Sequence, residues 1–457
     1  MVPQHVGKGT CNGPRYRRVG IAGFALTLAY GASLVAAYVL VIAPAFGYEG
    51  YTAVVPNLAT VLVFVVSYIA AASQLPARLT RPSQLAYWLL FFLVVAPVHV
   101  TMALVDNAGR PNPIPFVLTL SISFMALSLI YRISPPGIVV PPATAQAFWV
   151  VMALLIVGGL SYFAITFGVQ FRMVSFDDVY DVRRDYTDSL KDVNPVGPYI
   201  VGWIGYVLGP ALLATGFVRR NPLLLVAGGA VQLLIYSLTG FKSVIVSMLL
   251  LVVLAQLSRR FPERMVGPHL VGYTAVGVGL ITFFDFVNGG VALSSLFVRR
   301  LVLSAGINSY NYYDYFANNP KAHLGHSVLA EIVDYPYQVS PAHLIGEVYY
   351  GNSEMSANAN VWADSYANFG LTGMILCTVL LGCVFIVYDG LAQQRDLRIS
   401  ALLIALPGFT LCNSGLLTSL LTHGLLLAMV VLVFIPWSGP RTPEDTVPLG
   451  WSRLQQP

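Results

Sequence analysis

The chain has 457 residues, of which 56% are hydrophobic and only 10% charged, and its formal net charge is +5. With a mean hydropathy of +0.72 and repeated uncharged runs of bilayer-crossing length, it is not an ordinary soluble domain, in which roughly a quarter of residues are charged. The positive excess carries no implication of nucleic acid, because in such a chain the distribution of charge between loops sets membrane topology.

The composition predicts an all-α fold: a polytopic helical bundle of about twelve transmembrane helices with one large extracytoplasmic loop domain. Residues 1–18 form a basic tail containing Lys8, Arg15, Arg17 and Arg18. The apolar run at 19–44 exceeds the roughly 7–15 residues of a cleavable signal core, so it reads as a retained first span. Runs at 53–73, 84–105, 114–131 and 146–167 complete five helices over 19–167. A hydrophilic segment at 168–197 follows, then runs at 198–218, 222–239, 244–258 and 267–287, giving helices six to nine over 198–287. The largest hydrophilic segment covers 288–365. Runs at 366–388, 399–412 and 416–436 supply three last helices over 366–436, and 437–457 is a polar tail. Two of these boundaries rest on turn signals, "TG" ahead of Lys242 and "CNSG" at 412–415.

Basic residues then fall in alternate short loops: Arg78 and Arg81; Arg132; Arg219 and Arg220; Arg259, Arg260 and Arg264; Arg395 and Arg398. By the positive-inside rule both termini are cytoplasmic, and 168–197 and 288–365 face the other side. The four cysteines, Cys11, Cys377, Cys383 and Cys412, suggest neither a disulfide framework nor a zinc site. No EF-hand loop, P-loop or HExxH occurs, so no metal or cofactor is inferred.

Several basic residues lie on the outer face. Arg110 sits beside Asp106, which suggests a local ion pair. Lys242, in the short turn "GFKS", either reaches lipid phosphate or points into a cavity. In "LFVRRLVLSAG" (296–306) a helix would put Arg299 and Arg300 on one side, with Val298, Leu301 and Leu303 on an apolar face. Such an interfacial helix attracts anionic lipid, or clamps a phosphorylated headgroup with its guanidinium forks.

The stretch "ANANVWADSYANFG" (357–370) raises a different question, because it sets amides and an acid at the mouth of a span. A helix starting near Asn360 places Asn360, Asp364 and Asn368 at i, i+4, i+8 on one face. Trp362 and Tyr366 lie close in sequence, with Tyr312, Tyr313, Tyr315, Tyr349 and Tyr350 upstream. Amides, a carboxylate and ring faces together suit a carbohydrate. Helix capping and interfacial anchoring account for Asn358 and Trp362 equally well. Asp285, Asp314, Glu331, Asp334, Glu347, Glu354 and Asp364 are the available general bases, and spacing does not choose among them. His323, His326 and His343, as lone residues, read as structural or surface.

"NSYNYYDYFANNP", "YPYQVSPAHLIGEVYYG" and "ANANVWADSYANFGLTG" resemble the oligosaccharide repeat-unit polymerases, the Wzy or O-antigen polymerase family. The similarity runs from the loop at 168–197 through the span after "FGLTG". It implies a GT-C-type glycosyltransferase in the bacterial cytoplasmic (inner) membrane. Such an enzyme transfers a growing glycan from its polyprenyl diphosphate onto the next lipid-linked unit, with inversion at the anomeric carbon. It further implies diphosphate contacts from Arg299 and Arg300, then Arg183, Arg184 and Lys242. Catalytic roles fall to Asp364 or Asp314 for the acceptor hydroxyl and to Arg300 for the developing charge, and sugar contacts to Asn358, Asn360, Tyr313, Trp362 and Tyr366. The partners implied are a polyprenyl-diphosphate-linked oligosaccharide and the bilayer, with no nucleic acid; a chain-length regulator stays open. An O-antigen ligase-type transferase would share these features, and a lipid-linked oligosaccharide flippase is the rival of another class. Against the flippase, polar residues gather on one side, His99 and His423 being the main exceptions inside spans.

Overall fold

The computed structural model describes residues 16–138, 144–167, 196–240, 242–260 and 266–436. Among these residues the regular elements are all helical, as a lipid-embedded backbone that must satisfy its own polar groups requires. Nine helices in this set are long and apolar enough to cross a membrane: Ile21–Glu49, Ser83–Leu104, Ile114–Arg132, Ala145–Thr166, Gly197–Arg219, Pro222–Thr239, Val266–Asn288, Val361–Ala392 and Leu416–Phe434. Leu58–Ala72 and Leu397–Thr410 are apolar but shorter, and Lys242–Arg260 ends in a basic pair. A helix therefore lies over each apolar run of the sequence, and the architecture is that of a polytopic helical membrane protein.

Ser83–Leu104 is the centre of the bundle, with its apolar stretch wholly buried. Leu397–Thr410 packs on its first half, and Ser304–Asn318 on its last turns. Peripheral helices expose their apolar side chains instead: Leu154, Val157, Val226, Leu280 and Phe283 all stand free of protein. That is the pattern of surfaces that face lipid. Some buried polar groups of the core are satisfied locally. His99, for example, lies with Nδ1 2.7 Å from the Val95 carbonyl and Nε2 3.0 Å from Ser121 Oγ, against the rings of Phe64 and Tyr68.

Three helices contain a five-residue π turn: Tyr38–Ile42, Phe91–Val95 and Ile204–Leu208. Each is followed two residues later by a proline, Pro44, Pro97 and Pro210 respectively. A proline inside a helix lacks its N–H and its ring strikes the carbonyl four residues back. That residue is Leu40, Leu93 or Tyr206, inside each π turn, where the widened backbone takes up the missing bond without breaking the helix.

The loops sort to two ends. At one end the Ala77 N–H donates to the Arg17 carbonyl, and Arg81 donates to the carbonyls of Ile130 and Ile133 at 3.1 and 2.8 Å. Arg395 caps the last helix by donating to the carbonyls of Leu432 and Val433, and Arg219 donates to that of Pro436. The other end collects Glu49, Asp106, Arg110, the segment after Asn288 and the turn before Leu416. This second end carries the concentration of amides, acids and tyrosines.

Candidate functional site

Two helices build the polar end. Ser304–Asn318 is poor in good helix formers but is held by burial of Ile307, Tyr310, Tyr312 and Phe316. A π-helical segment, Ser294–Leu303, leads into it; the Ser294 N–H starts that segment by donating to Asp285 Oδ2 at 2.6 Å. The second helix, Val361–Ala392, breaks at Phe369 and Gly370, whose φ values are −142° and +65°. Glycine occupies the left-handed position at no steric cost. The break reverses the chain, so that the two turns 361–368 lie alongside the apolar remainder: the Trp362 indole reaches Thr378, and a Cβ on Gly373 would fall 2.4 Å from the Ser365 carbonyl oxygen.

Along Ser304–Asn318 runs a connected polar face. Arg110 Nε donates to Asp314 Oδ2 at 2.7 Å and its Nη2 to Asn311 Oδ1 at 2.9 Å. The guanidinium lies 3.9 Å from the Tyr310 ring centroid, a contact worth about 0.5–2 kcal/mol. Tyr349 also donates to Asp314 Oδ2, at 2.8 Å; burial first and then this carboxylate push its phenol up, so it stays protonated. Tyr350 donates to Asn308 Oδ1 at 2.8 Å, and Asn308 Nδ2 donates to the Asn358 carbonyl at 3.0 Å. The expected Arg110–Asp106 pair does not form: Asp106 Oδ1 instead accepts from the Ala108 N–H.

The arginine pair at 299–300 does not act as one clamp. Arg299 is buried, pairs with Glu49, touches Ser295 Oγ at 3.0 Å and lies over Phe46. Its charge is met inside the protein, which removes it from the candidate phosphate ligands. Arg300 is exposed beside exposed Leu296, Phe297 and Leu301. One residue of helical rotation, about 100°, turns neighbouring side chains to different surroundings.

The two turns ahead of the break carry the third group. Asn360 is the helix N-cap: its Oδ1 accepts from the N–H groups of Trp362 and Ala363 at 3.1 and 3.2 Å, and its Nδ2 donates to Ser309 Oγ at 2.6 Å. Asn368 is equally buried, with Oδ1 accepting from the Leu324 N–H at 2.7 Å and Nδ2 donating to the Asp364 carbonyl at 2.8 Å. Trp362 has no exposed surface, and its indole N–H donates to Thr378 Oγ1 at 2.9 Å. Asn360 and Trp362 are thus structural, which corrects their assignment to sugar contact. Tyr313 and Tyr366 pack at a tilt of 58° with centroids 5.0 Å apart, and both are buried, with 7% and 5% of their surfaces exposed. Asn358 stays exposed, its Oδ1 accepting from Ser356.

Of the polar row, Asp364 alone reaches outward. His326 Nε2 stands 3.8 Å from Asp364 Oδ1, and each side chain is 19% exposed. The His326 Nδ1 is buried and finds no hydrogen-bond partner among the described residues, and burial lowers the imidazole's pKa, favouring the neutral ring. Burial first, then the nearby Asp364 charge, push the Tyr312 phenol up. Close by, Lys321 Nζ donates to the Phe316 carbonyl and lies 4.1 Å from the Tyr366 centroid. Burial lowers its ammonium to about 8. The loop bearing both residues is stitched to 361–368 by the Ala322 N–H, which donates to the Ala367 carbonyl at 2.9 Å.

Arg300 and Asp364 are not brought together. Asp364 sits beside Tyr312, twelve residues after Arg300 on one helical path, a separation of roughly 15–18 Å. Asp314 lies with Arg110 and Tyr349, as a second and separate acid. Arg183 and Arg184 lie outside the described residues, as does the side chain of Lys242, whose backbone opens the helix Lys242–Arg260. Lys321 is a residue that sequence reasoning passed over, and His326 one that it read as structural or surface. Their signal was weak: one lysine and two histidines in "NNPKAHLGH", with no partner at a revealing spacing.

Comparison with protein-family models, with curated proteins and with solved structures gives no match.

Proposed function

We propose that the chain is a membrane glycosyltransferase that polymerises polyprenyl-diphosphate-linked oligosaccharide units into a surface polysaccharide. In this reading it has twelve crossings in a GT-C-like arrangement and works at the extracytoplasmic face of a bacterial cytoplasmic membrane, with both termini inside. The gathering of the basic short loops at the end opposite the amides and tyrosines supports that orientation.

The observation that carries the reading is the Asp364 carboxylate, partly exposed yet set in a buried amide and tyrosine surround on the short helical segment that folds back beside a membrane helix. An acid there can accept the proton of a sugar hydroxyl as that oxygen attacks an anomeric carbon. Lys321, lying over the ring of Tyr366 two residues beyond Asp364, is the cation among the described residues that we place at the departing diphosphate. Arg300, exposed among apolar side chains, suits the rim where a lipid phosphate would first be caught. Asn358 and the small exposed parts of Tyr313 and Tyr366 remain for sugar contact.

Purified protein in detergent, given a polyprenyl-diphosphate-linked repeat unit and no nucleotide sugar, should yield a ladder of longer glycans. A single transfer to another lipid acceptor would indicate a ligase. Movement of labelled lipid across proteoliposomes without product would indicate a flippase.

A further inference from the structure

We propose that His326 is a second catalytic group and that the acceptor hydroxyl docks between its Nε2 and the Asp364 carboxylate. The proposal rests on the glycosyl-transfer reading above and names the residue that reading lacks.

The gap itself is the first argument. Arg110 and Asp314, an ion pair at the same end, close to 2.7 Å. His326 and Asp364 stop at 3.8 Å with equal, partial exposure. An oxygen about 2.8 Å from both atoms fits at the apex of a shallow triangle, within ordinary hydrogen-bond distance of each.

The second argument is that the gap is held open from all sides. Asn368, fixed by the Leu324 N–H, holds Asp364 through its carbonyl and, at 3.4 Å, its Oδ2. His326 rests on Tyr335 with centroids 5.7 Å apart. Behind the carboxylate, a Cβ on Gly415 would fall 2.3 Å from Asp364 Oδ2, so the chain keeps this position bare. Neither side chain can swing to close the pair without disturbing these contacts.

The tautomer follows from the buried Nδ1. A bare ring nitrogen without a partner costs less than a buried N–H without one. The proton therefore sits on Nε2, aimed into the gap. His326 then donates to the hydroxyl oxygen and orients its lone pair, while Asp364 accepts the hydroxyl proton. As the oxygen bonds to the anomeric carbon, the bond from that carbon to the diphosphate breaks, its electron pair leaves on the diphosphate oxygen, and the proton ends on Asp364.

The test is steady-state kinetics of repeat-unit transfer by the full chain in detergent, with H326A, H326Q, D364N and the H326A/D364N double variant. H326A should lower kcat about 100-fold or more with little change in KM. H326Q, which keeps a donor, should recover part of the loss, and the double variant should be no worse than D364N alone. His343→Ala, a histidine replacement on the same face, should leave chain lengths unchanged. In the unaltered protein, lipid-linked acceptor at saturating concentration should protect His326 from diethyl pyrocarbonate, read by peptide mass, so the assignment is tested even if H326A misfolds. Wild-type kcat in a folded H326A, or losses that multiply in the double variant, or no protection, overturns the His326 assignment and leaves the polymerase standing. No ladder from the wild-type protein overturns the polymerase and the assignment together.

Discussion

Arg110 and Asp314 are 204 residues apart in the chain and 2.7 Å apart in space. They tie the loop after the central helix to Ser304–Asn318 and hold that helix in register at the polar end. Both side chains are mostly buried, so R110A, which strands a carboxylate, should destabilise by about 2–3 kcal/mol, and D314N by about 1. A double-mutant cycle on thermal melting in detergent should give a coupling of about 1–2 kcal/mol. Additive effects would mean that the contact is idle.

The adjacent arginines should separate cleanly. R299A leaves Glu49 part-buried without its partner and should cost about 2–4 kcal/mol, with reduced membrane levels. R300A should change stability by less than about 0.5 kcal/mol and still shorten or abolish the glycan ladder. Quantitative blotting beside a ladder assay reads both. Full-length glycans from R300A would remove that residue from phosphate capture.

If Lys321 meets the diphosphate as proposed, polymer formation should depend on pH. Its ammonium, lowered by burial to about 8, is cationic below that pH and neutral above it. Polymer formation should therefore fall as pH rises through about 8. K321R, which stays charged, should keep its rate at higher pH, and K321M should be slow throughout. Stability runs the other way. Between about 8 and the ordinary lysine value of 10.5 the unfolded chain binds the extra proton, so folding becomes more favourable with rising pH across that window. A pH–rate profile beside melting at each pH checks both signs.

Gly415 gives a steric test. An added methyl would overlap the Asp364 carboxylate, with 2.3, 2.6 and 3.0 Å to its three nearest atoms. G415A should keep the fold, since the methyl can displace one side chain, at a cost of about 1–3 kcal/mol. Transfer should drop about tenfold or more. A melting curve and the ladder assay on one preparation separate the two effects.

The helices were legible because each apolar run carries its own signal, and Leu58–Ala72 or Leu397–Thr410 could be read without knowing any neighbour. A helix start near Asn360 was legible too, but capping was read at Asn358; the structure puts the cap at Asn360 itself. What the pattern hid was partnership. Arg299 finds Glu49 250 residues away, and Arg110 passes over Asp106, four residues distant, for Asp314. Local spacing suggested that Arg299 and Arg300 share a face; the Glu49 carboxylate and the Phe46 ring, supplied by the first helix, draw one of them inward. His326 meets Asp364, 38 positions on, from a loop in which two non-glycine residues, His323 and Leu324, hold positive φ. No periodicity announces that.

The break at Phe369 and Gly370 has a mechanical consequence. The carboxylate-bearing turns are fastened to the 320–326 loop and to Ser309. They are fastened equally to the helix beyond the break, through the Trp362 indole on Thr378 and the close pass of Gly373 by the Ser365 carbonyl. A tilt of that helix forced by a thinner or thicker bilayer would therefore drag the carboxylate with it, and any chemistry carried there should follow lipid thickness.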